Sequence, residues 1–152
     1  MIKFLRNLLR HPTASRIALI AAFFAYVFAV LSITLLFRAP IFSTIELDPI
    51  ASYRRAANAP AHLAVIEIRN VILNVIMFVP LGIFLPLLFK KFHKIYLVLS
   101  VAFLTSLAIE TLQFATRRGV FSLEDIIHNT LGAVLGATLF LALSKLNINN
   151  AN

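Results

Sequence analysis

Three side chains able to give or take a proton, Glu110, Asp125 and His128, stand within a short stretch of a sequence that carries little charge. Of its 152 residues, 61% are hydrophobic and 13% charged. As a set they offer an acid, a base and a group that orients a nucleophile. His128 follows Asp125 by one helical turn, and Glu67 adds a further carboxylate from which a metal-binding set would be assembled. Nothing in the spacing requires one, and neither metal nor cofactor is expected. The sequence holds no cysteine, no HExxH and no serine-nucleophile motif, so no established catalytic apparatus is visible. A lone histidine on a helix is more often structural than catalytic.

The remaining polar side chains recur at helical intervals. Glu67, Asn70 and Asn74 fall at i, i+3, i+7; Ser106, Glu110, Gln113 and Arg117 at i, i+4, i+7, i+11; and Asp125, Asn129, Gly132 and Gly136 repeat that last spacing, with His128 beside Asn129. Each series is one stripe on one helix. Polar groups are costly in lipid and face the interior of a bundle, so the stripes imply a shared polar cavity. Its expected lining is Glu67, Arg69, Asn70, Asn74, Glu110, Gln113, Asp125 and Asn129, with Arg117 and Arg118 at the rim, where a guanidinium fork suits phosphate or carboxylate. The plainer alternative is that these groups bind one another. Taken singly, Asn70, Asn74, Gln113 and Asn129 read most simply as interhelical hydrogen bonds, and Arg117 and Arg118 serve equally as interfacial anchors partnered by Glu124 and Asp125. Glu110 stands apart, because a carboxyl group buried among apolar helices is expensive unless paired or protonated.

The elements that position these residues follow from hydropathy. A mean hydropathy of +0.92 and 14 phenylalanines exclude both a soluble globule and a disordered chain. At about 20 residues per crossing, the chain has room for four spans, expected at about 16–37, 66–89, 95–115 and 125–144. The fold class is therefore an all-α integral membrane protein, a four-helix transmembrane bundle forming one domain over 1–152. The first span is read as an uncleaved helix. Lys3, Arg6 and Arg10 resemble a signal-peptide n-region, but the apolar run is long and Arg38-Ala39-Pro40 is a poor cleavage site. Pro80 and Pro86 kink the second span, with Pro80 and Gly82 shaping its packing. Gly132 and Gly136 form a GxxxG for close helix packing within the chain, a homodimer through the same pair being the alternative.

Charge gives the orientation. The 14 Lys and Arg divide into Lys3, Arg6, Arg10, Arg16, Lys90, Lys91, Lys94 and Lys145 on one side, and Arg38, Arg54, Arg55, Arg69, Arg117 and Arg118 on the other. All six acids accompany the second group. The positive-inside rule then puts both termini in the cytoplasm, and the 38–65 loop and the polar stripes outside. The formal +8 is explained by insertion, with no nucleic-acid partner expected.

In order, the polar residues read Arg69-Asn70-x-x-x-Asn74-x-x-x-Phe78-x-Pro80-x-Gly82, Ser106-x-x-x-Glu110-x-x-Gln113, Arg118, and Asp125-x-x-x-Asn129-x-x-Gly132-x-x-x-Gly136. Over residues 66–140 this resembles the VanZ-like family of small bacterial membrane proteins. Ser122 departs from the pattern, since many members carry an Asp ahead of the Glu124-Asp125 pair. The resemblance implies a multi-pass protein of the bacterial cytoplasmic membrane. It also implies a link to teicoplanin and related lipoglycopeptides, the founding member being associated with low-level resistance by a route separate from altering the peptidoglycan precursor. No catalytic activity comes with the family. The leading expectation is a binding protein for an envelope lipid, a lipid-linked precursor or a lipoglycopeptide. An intramembrane hydrolase or transferase and an envelope-complex assembly factor are the alternatives.

Overall fold

The computed structural model describes residues 12–37, 42 and 44–149. Lys3, Arg6 and Arg10, together with Arg38-Ala39-Pro40, on which the choice between signal peptide and helix turns, lie outside the described residues. Among the described residues four helices are long and apolar enough to cross a membrane, at Arg16–Leu36, Ala61–Leu88, Ile95–Ala115 and Leu123–Leu146. The protein is a multi-pass, all-α membrane bundle. The first span is helix α1 (Pro12–Leu31) continued by a π-helical turn, Ser32–Leu36. After it come a two-residue strand β1 (Ile45–Glu46) and a short helix α2 (Ala51–Asn58). The second and third spans, α3 (Ala61–Leu88) and α4 (Ile95–Ala115), are joined by a 3₁₀ turn at Lys90–His93; strand β2 (Phe121–Ser122) then leads into α5 (Leu123–Asn149).

The third span has the bounds its apolar run gives. The second and fourth begin earlier than hydropathy suggests, because helix persists into the polar interface on both. Pro60, extended and unable to continue a helix from its N-terminal side, leaves α3 to start at Ala61. Ser122 caps α5, its Oγ accepting the Asp125 N–H at 3.1 Å. An Asp at that place would accept the same bond, so the departure at Ser122 keeps the capping chemistry.

Helices α3 and α5 form the densest interface and run parallel, because the contacts advance together along both. A Cβ added to Gly132 would run into the Val75 carbonyl, one on Gly136 into the Val79 carbonyl, and one on Gly82 into the Ala133 carbonyl. Ala133 and Ala137, both fully buried, complete the seam. This is close backbone approach through small residues, the packing that replaces hydrophobic exclusion inside lipid. The face that a homodimer through Gly132 and Gly136 would use is covered here by α3 of the same chain. Pro80 and Pro86 both lie inside α3, and Tyr26 of α1 donates to the Met77 carbonyl at 2.9 Å beside the first of them. Helix α4 packs antiparallel on α5. Among α1's side chains, Phe24 and Phe28 are exposed, as Ile33 is in the π-helical turn beyond it, an outer surface suited to lipid.

Burial separates the two ends. At the 3₁₀-turn end the core is apolar, built on Leu81, Leu85, Phe92, Val98 and Ala102. At the other, the buried residues include Ser32, Thr34, Ser52, Ser106, Glu110, Gln113, Glu124, His128 and Asn129. The 44–58 segment folds over that polar end. Ile45 and Glu46 pair in parallel with Phe121 and Ser122, and the Phe121 N–H reaches the Thr44 carbonyl at 2.9 Å.

Candidate functional site: a buried polar layer

The layer forms where helix ends meet. An α-helix leaves N–H groups unpaired at its start and carbonyls unpaired at its finish, and at a membrane boundary these need partners from within the protein. Ser122, the residue that caps α5, has its own N–H taken by Glu110 Oε2 at 2.9 Å. A carboxylate from a neighbouring helix thus does what the glutamate of a capping box does locally. Helix α2 begins without a side-chain cap at Ile50, and the Ser52 N–H is received instead by Glu124 Oε2 at 2.8 Å. At the far end of the first span, Gln113 Nε2 donates to the Thr34 carbonyl at 2.9 Å. Arg118 Nη1 donates to the Leu35 and Leu36 carbonyls at 3.0 and 2.8 Å.

Asn129 Nδ2 donates to Ser106 Oγ at 2.8 Å, which ties α5 to α4 one turn below Glu110. His128 Nε2 lies 3.0 Å from the hydroxyl of Tyr53, the rings meeting edge to face at 5.7 Å between centroids. The structure therefore brings together Glu110, Gln113, His128 and Asn129 from the stripes of α4 and α5, with Arg118 at their edge, while Asp125 is half-buried at the start of α5, its N–H on Ser122. They meet in a closed layer under the 44–58 cover, not around an open cavity: Ser106, Glu110, Gln113, Glu124 and Asn129 are 2% exposed or less.

The stripe on α3 behaves differently. The buried face of this helix runs through Val71, Phe78 and Leu85, with Asn74 half-buried between the first two. Glu67, on the same line, turns to the cover, where Arg55 Nε reaches its Oε2 at 3.1 Å. Asn70 is exposed, and Arg69 is exposed at an open apolar groove formed with Ile68, Ile72 and Leu73. Arg117 is also exposed and sits at φ 56°. It occupies the left-handed position of a Schellman motif, in which the Arg117 N–H bonds the Phe114 carbonyl and the Arg118 N–H the Gln113 carbonyl. Its backbone turns the chain out of α4.

Ser52 and Tyr53 escape a reading by hydropathy, since their segment is neither apolar nor striped. The signal for α2 is compositional: an Ala- and Arg-rich run bracketed by Pro49 and Pro60. Glu124 reads in sequence only as a counter-ion, whereas it is among the most deeply buried residues, at 1% exposure. Among the described residues no three His, Asp or Glu side chains converge as a metal site would require.

One property of the layer goes beyond holding helix ends. Gln113 Oε1, Glu124 Oε1, His128 Nδ1 and Asn129 Oδ1 are buried without a hydrogen-bond partner, whereas buried polar atoms in folded proteins are almost always paired.

A family model described as VanZ/LLP1 matches residues 17–144. Among curated proteins, Protein VanZ of Enterococcus faecium is 34% identical over 102 residues, 64% of this chain and 59% of that relative. The chain thus spans about three fifths of the relative's length. No solved structure matches it. Because the match runs from the first spanning helix into the fourth and takes in every residue of the buried layer on α4 and α5, the chain belongs to the VanZ/LLP1 family.

Proposed function

We propose that this is a bacterial cytoplasmic-membrane protein, with both termini in the cytoplasm, whose outward polar layer binds an amphiphile of the cell envelope. The ligand is a lipid-linked precursor or a lipoglycopeptide, and binding alters susceptibility to teicoplanin-type antibiotics. Family membership supports the envelope setting. Lys90, Lys91, Lys94 and Lys145 at the apolar end, against the six acids at the polar end, support the orientation. The observation that carries binding is the set of buried polar atoms without partners, four among the described residues. A layer that served only to cap helix ends would gain nothing from leaving buried polar atoms unpaired, since each costs about 1–3 kcal/mol. A ligand whose polar groups pair with them recovers that cost.

The test is titration of labelled teicoplanin, and separately of a labelled lipid-linked precursor, against the purified full chain in lipid nanodiscs. Saturable binding of one of them, weakened at least tenfold by Gln113→Ala with Asn129→Ala, is expected. Absence of binding by both, or equal binding by the double variant, would overturn the proposal.

A further inference from the structure

Glu124 and His128 lie four residues apart on α5, one above the other on the same face. Both are buried, at 1% and 6% exposure, and each has one polar atom engaged and one without a partner. The engaged atoms are met by consecutive residues of α2: the Ser52 N–H on Glu124 and the Tyr53 hydroxyl against His128. One turn of a short helix thus plugs both groups, with a backbone N–H on Glu124 and a phenol hydroxyl against His128.

The chemistry of what is left over restricts the ligand. On this face the free oxygen, Glu124 Oε1, is an acceptor, as are Gln113 Oε1 and Asn129 Oδ1 elsewhere in the layer, so a group matching Glu124 must donate. The guanidiniums nearby are already engaged: Arg54 with Asp48, Arg55 with Glu46 and Glu67, and Arg118 with two carbonyls. A phosphate would find carboxylates where it needs cations. A primary ammonium carries three donors and the charge that a buried carboxylate lacks. A neutral hydroxyl brings no charge, and a quaternary ammonium has no N–H.

On its outer face the plug is lightly held. From the solvent side it is fixed by the Arg54–Asp48, Arg55–Glu46 and Arg55–Glu67 pairs, whose arginine side chains are half exposed or more, and exposed pairs contribute little. Its strand contact with the bundle is two residues long. A shallow open groove lined by Glu46, Asp48, Ala51, Arg54, Arg55 and Asn58 lies on the outer face of the cover. Tyr53 remains 43% exposed.

We propose that the Glu124–His128 face is a binding site for a primary ammonium group, and that Ser52 and Tyr53 of α2 occupy it in the ligand's absence. This deepens the binding role proposed above and rests on it.

The probe is radiolabelled dodecylammonium, bound to the full chain in nanodiscs and read by scintillation proximity against empty discs. Dodecyltrimethylammonium and dodecyl phosphate serve as competitors. Unlabelled dodecylammonium is expected to compete at concentrations at least tenfold lower than either of them, and Glu124→Gln to abolish that preference. Tyr53→Phe, which removes the plug's hydroxyl, is expected to tighten binding about threefold. The chain has no cysteine, so Ile45→Cys with Phe121→Cys gives a single disulfide across the paired strands. Oxidation is expected to weaken binding at least tenfold and reduction to restore it, a readout independent of whether Glu124→Gln folds. Equal competition by the trimethyl compound, or binding indifferent to the disulfide, overturns the inference. If teicoplanin or precursor still binds in that case, the broader reading stands without it; if nothing binds, both fall.

Discussion

Glu110, Gln113, Arg118 and Glu124 each end on a backbone group of a different element, and that is the structural work of the polar motif. Their chemical types follow from this role. Carboxylates accept from N–H groups at the starts of α5 and α2, and an amide and a guanidinium donate to carbonyls at the close of the first span. Two substitutions test this at single residues. Ser122→Asp preserves the acceptor for the Asp125 N–H and should leave stability unchanged, whereas Ser122→Ala should cost about 1 kcal/mol, measured as a lower midpoint of thermal unfolding in detergent. At Arg117 the backbone is left-handed, a conformation that costs a residue bearing a Cβ about 1 kcal/mol or more. Arg117→Gly should therefore raise the unfolding midpoint. If ligand binding persists in that variant, Arg117 acts through its backbone; a loss of binding at raised stability would restore the guanidinium to the site.

At the scale of elements, the α3–α5 seam and the cover contrast in how far the sequence announces them. The seam is legible: Gly132 and Gly136 at a spacing of four, flanked by alanines, state that a backbone approaches closely, and only the identity of the approaching helix is left to the structure. Gly132→Ile should force α3 and α5 apart and destabilise the bundle by about 1–3 kcal/mol. An exposed change on the same helix, Leu135→Ile, should not, with both followed by the fraction of monodisperse protein surviving a heating series. The stripes of α4 and α5 are likewise legible, because an apolar background makes each polar side chain conspicuous. Helix α2 and its contacts are not. They depend on a two-residue parallel pairing between positions far apart in the chain, which leaves no periodicity, and on Glu124 receiving a backbone N–H, for which no side-chain partner exists to be read. The stripe on α3 misleads at Asn70 for a related reason. Near the membrane boundary a helix face turns toward water as readily as toward the bundle, so spacing fixes which residues share a face and not what that face meets.

For the molecule as a whole, charge and burial are two separate records of the same asymmetry. Lys90, Lys91 and Lys94 border the end whose core is apolar; the carboxylates and the buried polar layer occupy the other. Acids contribute little to orientation during insertion, whereas lysines near span ends contribute strongly, so the polar layer is carried to whichever side the lysines do not occupy. In the proposed orientation that is the outside, where an envelope amphiphile meets the protein from the outer leaflet or from beyond it. The absence of native cysteine makes this directly measurable with single cysteines at Asn58, on the cover, and at Lys91, on the 3₁₀ turn. In intact cells a membrane-impermeant maleimide should label Asn58→Cys and leave Lys91→Cys unlabelled until the membrane is permeabilised. Replacing Lys90, Lys91 and Lys94 together with glutamine should reduce that bias, because the loop between the second and third spans would lose its retained charge while the acids remained in place. The reverse labelling pattern in the unmodified chain would turn the polar layer toward the cytoplasm, and with it the ligand from an envelope amphiphile to one presented at the inner leaflet.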